Sequence, residues 1–143
     1  MKKLFLLPIL YLLIGCEKHT ISSDITSYEY SDFSERFIEW TNLLSLKDEK
    51  YYGYVFSYTC GHCVEIKQDI LAAIKERNWN IYLIEFTYEI PILASDSEYR
   101  GIIYIDDLGI VGTPTLFYIE NKTVMERYTG SREIIMTLSN SLL

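Results

Sequence analysis

The sequence is poor in cysteine, in long apolar runs and in clustered positive charge. It has three cysteines, and its N-terminal apolar run, residues 4–14, is shorter than the roughly 20 residues that a membrane-spanning helix needs. Without residues 1–15 the chain keeps 11 basic and 20 acidic side chains. That balance argues against non-specific nucleic-acid binding and against a polybasic membrane patch. No repeat, low-complexity segment or long acidic block is present.

What the sequence does have is enough material for one folded domain with a short extension. It is 143 residues long and 49% apolar, which allows a buried core and argues against extensive disorder. Thirteen tyrosines combine an apolar ring with a polar tip, which suits half-buried strands and a wet interface. Nothing in the sequence points to a cofactor, and we expect a monomer.

The first 16 residues resemble a bacterial lipoprotein signal. Two lysines precede the apolar run, which ends in Leu13, Ile14, Gly15 and Cys16. The resemblance implies cleavage before Cys16 and lipid on that residue, so we expect an extracytoplasmic protein anchored to a bacterial membrane. The alternative is an ordinary signal peptide with an incidental Cys16. The predicted divisions are a signal at 1–15, a lipidated polar tether at 16–30 that includes a solvated His19, and a domain at 31–143.

Apolar periodicity and turn residues divide the domain into alternating helices and strands. Helices are predicted at residues 31–46, at 63–78, within 92–109 with Ile102, Ile103 and Ile105 on the buried side, and from Ser131 onward. Strands are predicted at residues 51–58, 81–87, 115–120 and 123–128. The order α-β-α-β-α-β-β-α indicates an α/β protein with parallel crossovers and an antiparallel closing hairpin, that is, a mixed sheet flanked by helices.

One motif carries chemistry: Cys60, Gly61, His62 and Cys63, where a predicted strand gives way to a helix. Unpaired N–H groups and the dipole at a helix N-terminus lower the pKa of a thiol, which favours Cys60 as the nucleophile. Cys63 is then within reach to resolve a mixed disulfide. Gly61 leaves room for a partner backbone, and a charged His62 would stabilise the thiolate and make the disulfide more oxidising.

Three other interpretations of the cysteine pair remain open. A zinc site normally needs four ligands, and only His19 and His62 are available beside the pair once Cys16 is lipidated. A purely structural disulfide would close a four-residue loop and so stabilise the fold weakly. The third interpretation is that the spacing of the two cysteines is accidental. We predict no metal and favour the redox interpretation.

Two segments of the chain resemble segments of the thioredoxin superfamily and occur in the same order. Residues 55–63 are similar to the family's strand and active-site turn, and residues 109–117 are similar to its cis-proline segment. The resemblance covers about residues 31–143 and implies a thioredoxin fold. It also implies a cis peptide bond between Thr113 and Pro114, which face the cysteine pair and bind the substrate backbone. The Cys-Gly-His-Cys sequence is similar to that of protein disulfide isomerase.

The chain also departs from the family pattern. Tyr54 stands where the family has a buried acid that takes the proton of the resolving thiol, and Thr59 replaces an aromatic residue. For fast loss of the Cys63 proton, Glu65, Tyr54 itself or water must take the place of that acid.

We therefore expect a thiol–disulfide oxidoreductase that acts as an oxidase or isomerase of exported proteins, together with an unidentified redox partner. A membrane-tethered reductase, for example of the cytochrome maturation type, is the first alternative. A non-catalytic binding module that uses the groove beside Thr113 and Pro114 is the second.

Overall fold

The protein forms one four-stranded mixed sheet with helices packed on one side. The computed structural model describes residues 27–95 and 98–140. In order along the chain, the strands and α-helices are β1 (Lys50–Phe56), α1 (Gly61–Arg77), β2 (Ile81–Glu85), β3 (Thr115–Glu120), β4 (Thr123–Thr129) and α2 (Ser131–Asn140). The predicted signal, Cys16 and His19 lie outside the described residues. Among those described, no helix is long and apolar enough to cross a bilayer.

The sheet order is β2-β1-β3-β4. Strand β1 pairs parallel with β2 through the α1 crossover and antiparallel with β3, and β3 and β4 form the closing hairpin. The predicted fold class, a thioredoxin fold with a mixed sheet flanked by helices, is confirmed by this topology. Element ends differ slightly from the prediction: β1 stops at Phe56, α1 already begins at Gly61, and β2 stops at Glu85.

The helix predicted at residues 31–46 is wrong. The chain forms two short 3₁₀ segments instead, Tyr30–Arg36 and Trp40–Asn42, and Phe33 departs from helical geometry within the first. Between them, Phe37 is extended and bridges Leu83 on the outer edge of β2, and the Ile38 N–H donates to the Leu83 carbonyl at 3.0 Å. An unpaired strand edge offers backbone partners, and here it holds the chain in an extended form.

The helix predicted within residues 92–109 is also wrong. The described residues of this segment, 92–95 and 98–109, contain a 3₁₀ turn, Ile105–Asp107, and no α-helix, and Ile103 is 52% exposed rather than buried. Backbone hydrogen bonds explain the difference, because the Gly101 N–H donates to the Val124 carbonyl and the Val124 N–H donates to the Ile102 carbonyl. The segment therefore covers the outer edge of β4.

Alternation along β1 divides the core into two parts, one on each side of the sheet. We call one part the helix-covered face; it lies against α1 and α2 and includes Tyr54 and Phe56 of β1 and Cys63 of α1. The other part is the loop-covered face, which includes Tyr51 and Val55 of β1. The folded part begins before residue 31, since Tyr28 packs on the helix-covered face and Tyr30 is buried in it. Part of the predicted tether thus belongs to the core.

Candidate active site

The cysteine pair lies at the junction of β1 and α1, where the strand leaves the sheet. The turn is closed by the Cys60 N–H, which donates to the Ser57 carbonyl at 3.2 Å. Cys60 is the N-cap of α1, and its sulfur accepts a hydrogen bond from the backbone N–H of Cys63 at 3.2 Å. The Cys60 carbonyl accepts from the N–H groups of Cys63 and Val64. The sulfur therefore occupies the position that a capping oxygen takes at other helices.

The environment of Cys60 favours its thiolate. Burial alone raises the pKa of this half-buried thiol. Hydrogen bonds from the side chains of Cys63 and Thr113, and then from backbone N–H groups at the start of α1, outweigh burial and hold the pKa of Cys60 below its ordinary value. Donors aimed at a sulfur stabilise its negative form, so Cys60 is the more reactive thiol.

Cys63 lies in the opposite environment. It is 1% exposed and packs within the helix-covered core. Burial, followed by its hydrogen bond with Cys60, raises the pKa of Cys63 to about 11. Both residues are free thiols in this structure. The pair thus places one half-buried thiol with a lowered pKa beside one buried thiol with a raised pKa.

The loop before β3 faces this pair. The Thr113–Pro114 peptide bond is cis, and the Cys60 thiol donates to the Thr113 carbonyl at 3.4 Å. Two contacts hold the loop: the Gly130 N–H donates to the Pro114 carbonyl at 2.9 Å, and the Thr115 hydroxyl donates to the Gly112 carbonyl at 2.7 Å. Half-buried Thr113 thus places backbone polar groups beside the reactive sulfur.

The two residues between the cysteines are on the surface. A Cβ placed on Gly61 would meet no atom within 4 Å, so this side of the turn is open to a partner chain. The His62 side chain is 75% exposed, and its Nδ1 lies 3.4 Å from the Glu65 carboxylate. The imidazole therefore faces an acid on its own helix, and the part of His62 that acts on the Cys60 thiol is its backbone N–H.

Two tyrosines complete the surroundings of Cys63. Tyr54 of β1 and Tyr30 of the first 3₁₀ segment are buried on the helix-covered face, and both interact electrostatically with Cys63. Tyr30 stacks on Phe56 with ring centroids 4.1 Å apart. The sequence identified Tyr54 only through the family comparison and assigned Tyr30 to the tether. No periodicity marks either one, because their proximity arises from packing between distant segments.

Within residues 27–95 and 98–140, no three His, Cys, Asp or Glu side chains come together as metal ligands. The described part of the chain thus assembles a dithiol site from Cys60, Cys63 and the Thr113–Pro114 loop. His62 and Gly61 border it without touching the sulfurs through their side chains.

Comparison with known proteins gives structural neighbours only. No known protein family matches the sequence, and no curated protein matches it either. Solved structures that resemble the chain include three thioredoxins. The one from Aeropyrum pernix has 18% identity and a TM-score of 0.47, with 81% of this chain and 83% of that chain covered.

Mitochondrial thioredoxin 3 from Saccharomyces cerevisiae has 10% identity and a TM-score of 0.48, covering 75% of this chain and 93% of that one. Thioredoxin f2 from Chlamydomonas reinhardtii has 14% identity and a TM-score of 0.44, covering 74% and 94%. Likeness at this level concerns the fold and carries no argument about activity. The fold topology together with the Cys60–Cys63 geometry supports a thiol–disulfide oxidoreductase in general.

Proposed function

We propose that this protein is an extracytoplasmic thiol–disulfide oxidoreductase that oxidises thiols to disulfides, or isomerises disulfides, in exported proteins. The observation that carries the proposal is the asymmetry of the pair. The Cys60 sulfur caps α1 and has a lowered pKa, while Cys63 is buried and has a raised one. A reduced form with a stabilised thiolate corresponds to a disulfide that is a better oxidant, which favours oxidase or isomerase over reductase.

The exchange follows from the positions of the two sulfurs. The Cys60 thiolate attacks a substrate disulfide, forms a mixed disulfide and releases one substrate thiolate. In isomerisation, another substrate thiolate then attacks the mixed disulfide and releases Cys60, with no net change of oxidation state. In resolution, Cys63 loses its proton, its sulfur attacks Cys60, and the second substrate thiolate leaves. The substrate is then reduced by two electrons, and the protein holds the Cys60–Cys63 disulfide. Oxidation of a substrate dithiol is the reverse sequence.

Substrate backbone would align along the Thr113–Pro114 loop. The Thr113 carbonyl lies 3.4 Å from the Cys60 sulfur and accepts the thiol proton of the free protein. Once that sulfur enters a mixed disulfide, this carbonyl is available to a substrate N–H group. Binding through backbone groups suits an enzyme that accepts many exported proteins rather than one sequence.

The first test is the redox equilibrium of Cys60 and Cys63 with glutathione. The full chain is used with Cys16→Ser, so that these two are its only thiols. A potential near or above about −200 mV supports the oxidase or isomerase, whereas a value near −270 mV supports a reductase that needs an electron donor. Failure to equilibrate would support the binding module.

Substrate capture gives the second test. Cys63→Ser removes the resolving sulfur, so mixed disulfides formed by Cys60 should persist and be recovered with exported proteins attached. The matched control is Cys60→Ser, which should capture none. Equal recovery with both variants would contradict catalysis through Cys60.

The membrane anchor is tested separately, because Cys16 lies outside the described residues. We propose that lipid on Cys16 holds the domain at the membrane. Expression in bacteria with a radiolabelled fatty acid should label the native chain and not Cys16→Ser, and the variant should leave the membrane fraction. Unlabelled native protein would overturn the lipoprotein assignment and leave the redox proposal untouched.

A further inference from the structure

Two buried hydroxyls lie beside the resolving thiol. Tyr54 is 0% exposed and Tyr30 is 7% exposed, and their hydroxyls interact with each other, but neither makes a hydrogen bond of full geometry to any described residue. Each lies close enough to the other and to Cys63 for their charges to interact. A buried polar group without a partner is costly, and such groups in native structures call for an explanation.

A cavity of about 390 Å³ opens at the same place, between the first 3₁₀ segment and the start of α1. Tyr30 and Cys63 both line it, together with Lys67, which pairs with Glu29 and lies over the Tyr30 ring. A cavity of this size holds several water molecules, and polar groups line it. It therefore connects the surroundings of Cys63 with solvent.

Resolution of a mixed disulfide requires the Cys63 proton to leave a buried position. The titratable groups that face Cys63 come from every element packed against it: Cys60 and Tyr58 from the turn, Tyr54 from β1, Tyr30 from the 3₁₀ segment, and Lys67 and Glu29 beside the cavity. Among the described residues no carboxylate is buried, since the buried polar side chains outside the tyrosines are Thr115 and Arg127. The Ser57 backbone and Thr113 also hydrogen-bond to this thiol, so phenols are, beside Cys60, the titratable groups next to it inside the core.

We propose that the hydroxyls of Tyr54 and Tyr30 relay the Cys63 proton to water in the adjoining cavity while Cys63 attacks the mixed disulfide. The proposal rests on the proposed function, because it concerns the second step of that exchange. A phenol hydroxyl accepts one hydrogen bond and donates another, so it can pass a proton on without becoming charged. Burial opposes ionisation of both phenols, which suits a relay and not a stored base.

The step balances in protons and electrons. The S–H bond of Cys63 breaks, and its proton passes through the hydroxyls to cavity water. The sulfur's electron pair forms the bond to Cys60, and the electrons of the broken mixed disulfide leave with the substrate thiolate. Tyr54 and Tyr30 end the step in the protonation state in which they began.

The test separates the two thiols with 5,5′-dithiobis(2-nitrobenzoate), an aromatic disulfide whose released thiolate is coloured. Attack by Cys60 releases the first thiolate, and attack by Cys63 on the resulting mixed disulfide releases the second. The full chain with Cys16→Ser is compared with the same chain carrying Tyr54→Phe or Tyr30→Phe. The matched control is Tyr52→Phe, since Tyr52 lies two residues away on the same strand and face, and its electrostatic neighbours are Tyr118 and Tyr128 rather than the cysteines.

We expect an unchanged first phase and a second phase slowed about tenfold at pH 7 in Tyr54→Phe. This is below the roughly 100-fold typical of a full general base, because cavity water still reaches the sulfur. The difference in second-phase rate between Tyr54→Phe and the parent chain should become smaller as pH approaches the pKa of Cys63, because the Cys63 thiolate then forms without the relay. Tyr52→Phe should leave both phases unchanged.

Other outcomes would contradict either the relay or the proposed function. A second phase that is unaltered in both Tyr54→Phe and Tyr30→Phe overturns the relay. Equal slowing at every pH also overturns it, since a structural change would act that way. Loss of the first phase in the parent chain refutes the proposed function instead.

Discussion

The two faces of the sheet bury tyrosine in different ways. On the loop-covered face, the Tyr51 hydroxyl donates to the Leu43 carbonyl at 2.6 Å. On the helix-covered face, three residues along the same strand, the Tyr54 hydroxyl is equally buried and interacts with the Tyr30 hydroxyl without a hydrogen bond of full geometry to any described residue. An unsatisfied buried hydroxyl costs about 1–3 kcal/mol. The helix-covered face, which holds Cys63, therefore gives up stability at Tyr54, whereas the hydrogen bond of Tyr51 is satisfied on the loop-covered face.

The largest effect is expected in the alkylation rates of the two thiols. At pH 7 a thiol with a pKa of about 11 is ionised only about once in 10⁴ molecules, while Cys60, with its lowered pKa, is ionised far more. Iodoacetamide should therefore modify Cys63→Ala, which keeps Cys60, at least about 100-fold faster than Cys60→Ala. Rates are measured by mass spectrometry in the Cys16→Ser background.

The same experiment at higher pH shows whether ionisation is the cause. The rate of Cys60→Ala should climb as pH rises and the Cys63 thiolate forms, because burial, the largest cause of the raised pKa, remains when Cys60 is removed. Denaturation of both variants should abolish the difference. Similar rates in the folded variants at pH 7 would contradict the assigned asymmetry.

The tight packing of the loop-covered face predicts the next largest effect. A Cβ on Gly53 would lie 2.3 Å from Cδ1 of Leu43, which is itself fully buried. Overpacking a core typically costs about 1–3 kcal/mol, so Gly53→Ala should lower the free energy of unfolding by that amount in urea titration. Gly61→Ala is the control, since nothing lies within 4 Å of its Cβ, and it should change stability by less than about 0.5 kcal/mol. Equal effects would refute the packing argument.

The two tyrosines of β1 should respond to the same substitution with opposite sign. Tyr51→Phe leaves the Leu43 carbonyl without its partner and should destabilise the fold by about 1–2 kcal/mol. Tyr54→Phe removes a hydroxyl whose contact with Tyr30 falls short of full hydrogen-bond geometry, and it should leave stability unchanged or raise it by up to about 1 kcal/mol. Urea titration of both variants measures the difference. Destabilisation of Tyr54→Phe by as much as Tyr51→Phe would show that its hydroxyl is bonded after all.

The parts of the fold that local pattern determines were predictable. Strand β3 spans Thr115–Glu120, Asn121 and Lys122 form the turn to β4 with positive φ, and Ser131 begins α2, all as the sequence indicated. The first segment was not predictable in this way. Phe33, Phe37 and Trp40 have helical spacing, but the edge of β2 holds Phe37 in an extended form. A short stretch of sequence does not show that a distant strand edge competes with helix formation for the same backbone groups.

The candidate site likewise combines features that the local sequence predicts with features that arise only from packing in the folded chain. Cys60 and Cys63 are identified by spacing and by the strand-to-helix change, which are local features. The Tyr30–Tyr54 pair joins residues 24 positions apart through packing on the helix-covered face, and the cavity beside it exists only in the folded chain. The sequence also assigned the tuning of Cys60 to the His62 side chain, whereas the structure directs that side chain toward Glu65.

The smallest effect is therefore expected of His62. The backbone N–H groups that stabilise the Cys60 thiolate remain when the imidazole is replaced, and the ring is exposed beside a carboxylate. His62→Gln should move the apparent pKa of Cys60 by less than about one unit, since exposed charge pairs contribute about 0–1 kcal/mol. The pH dependence of thiolate absorbance measures the shift, with Glu65→Gln as the companion variant that frees the imidazole from its acid. A larger shift in His62→Gln would mean that surface charge, and not the capped helix end, sets the reactivity of this thiol.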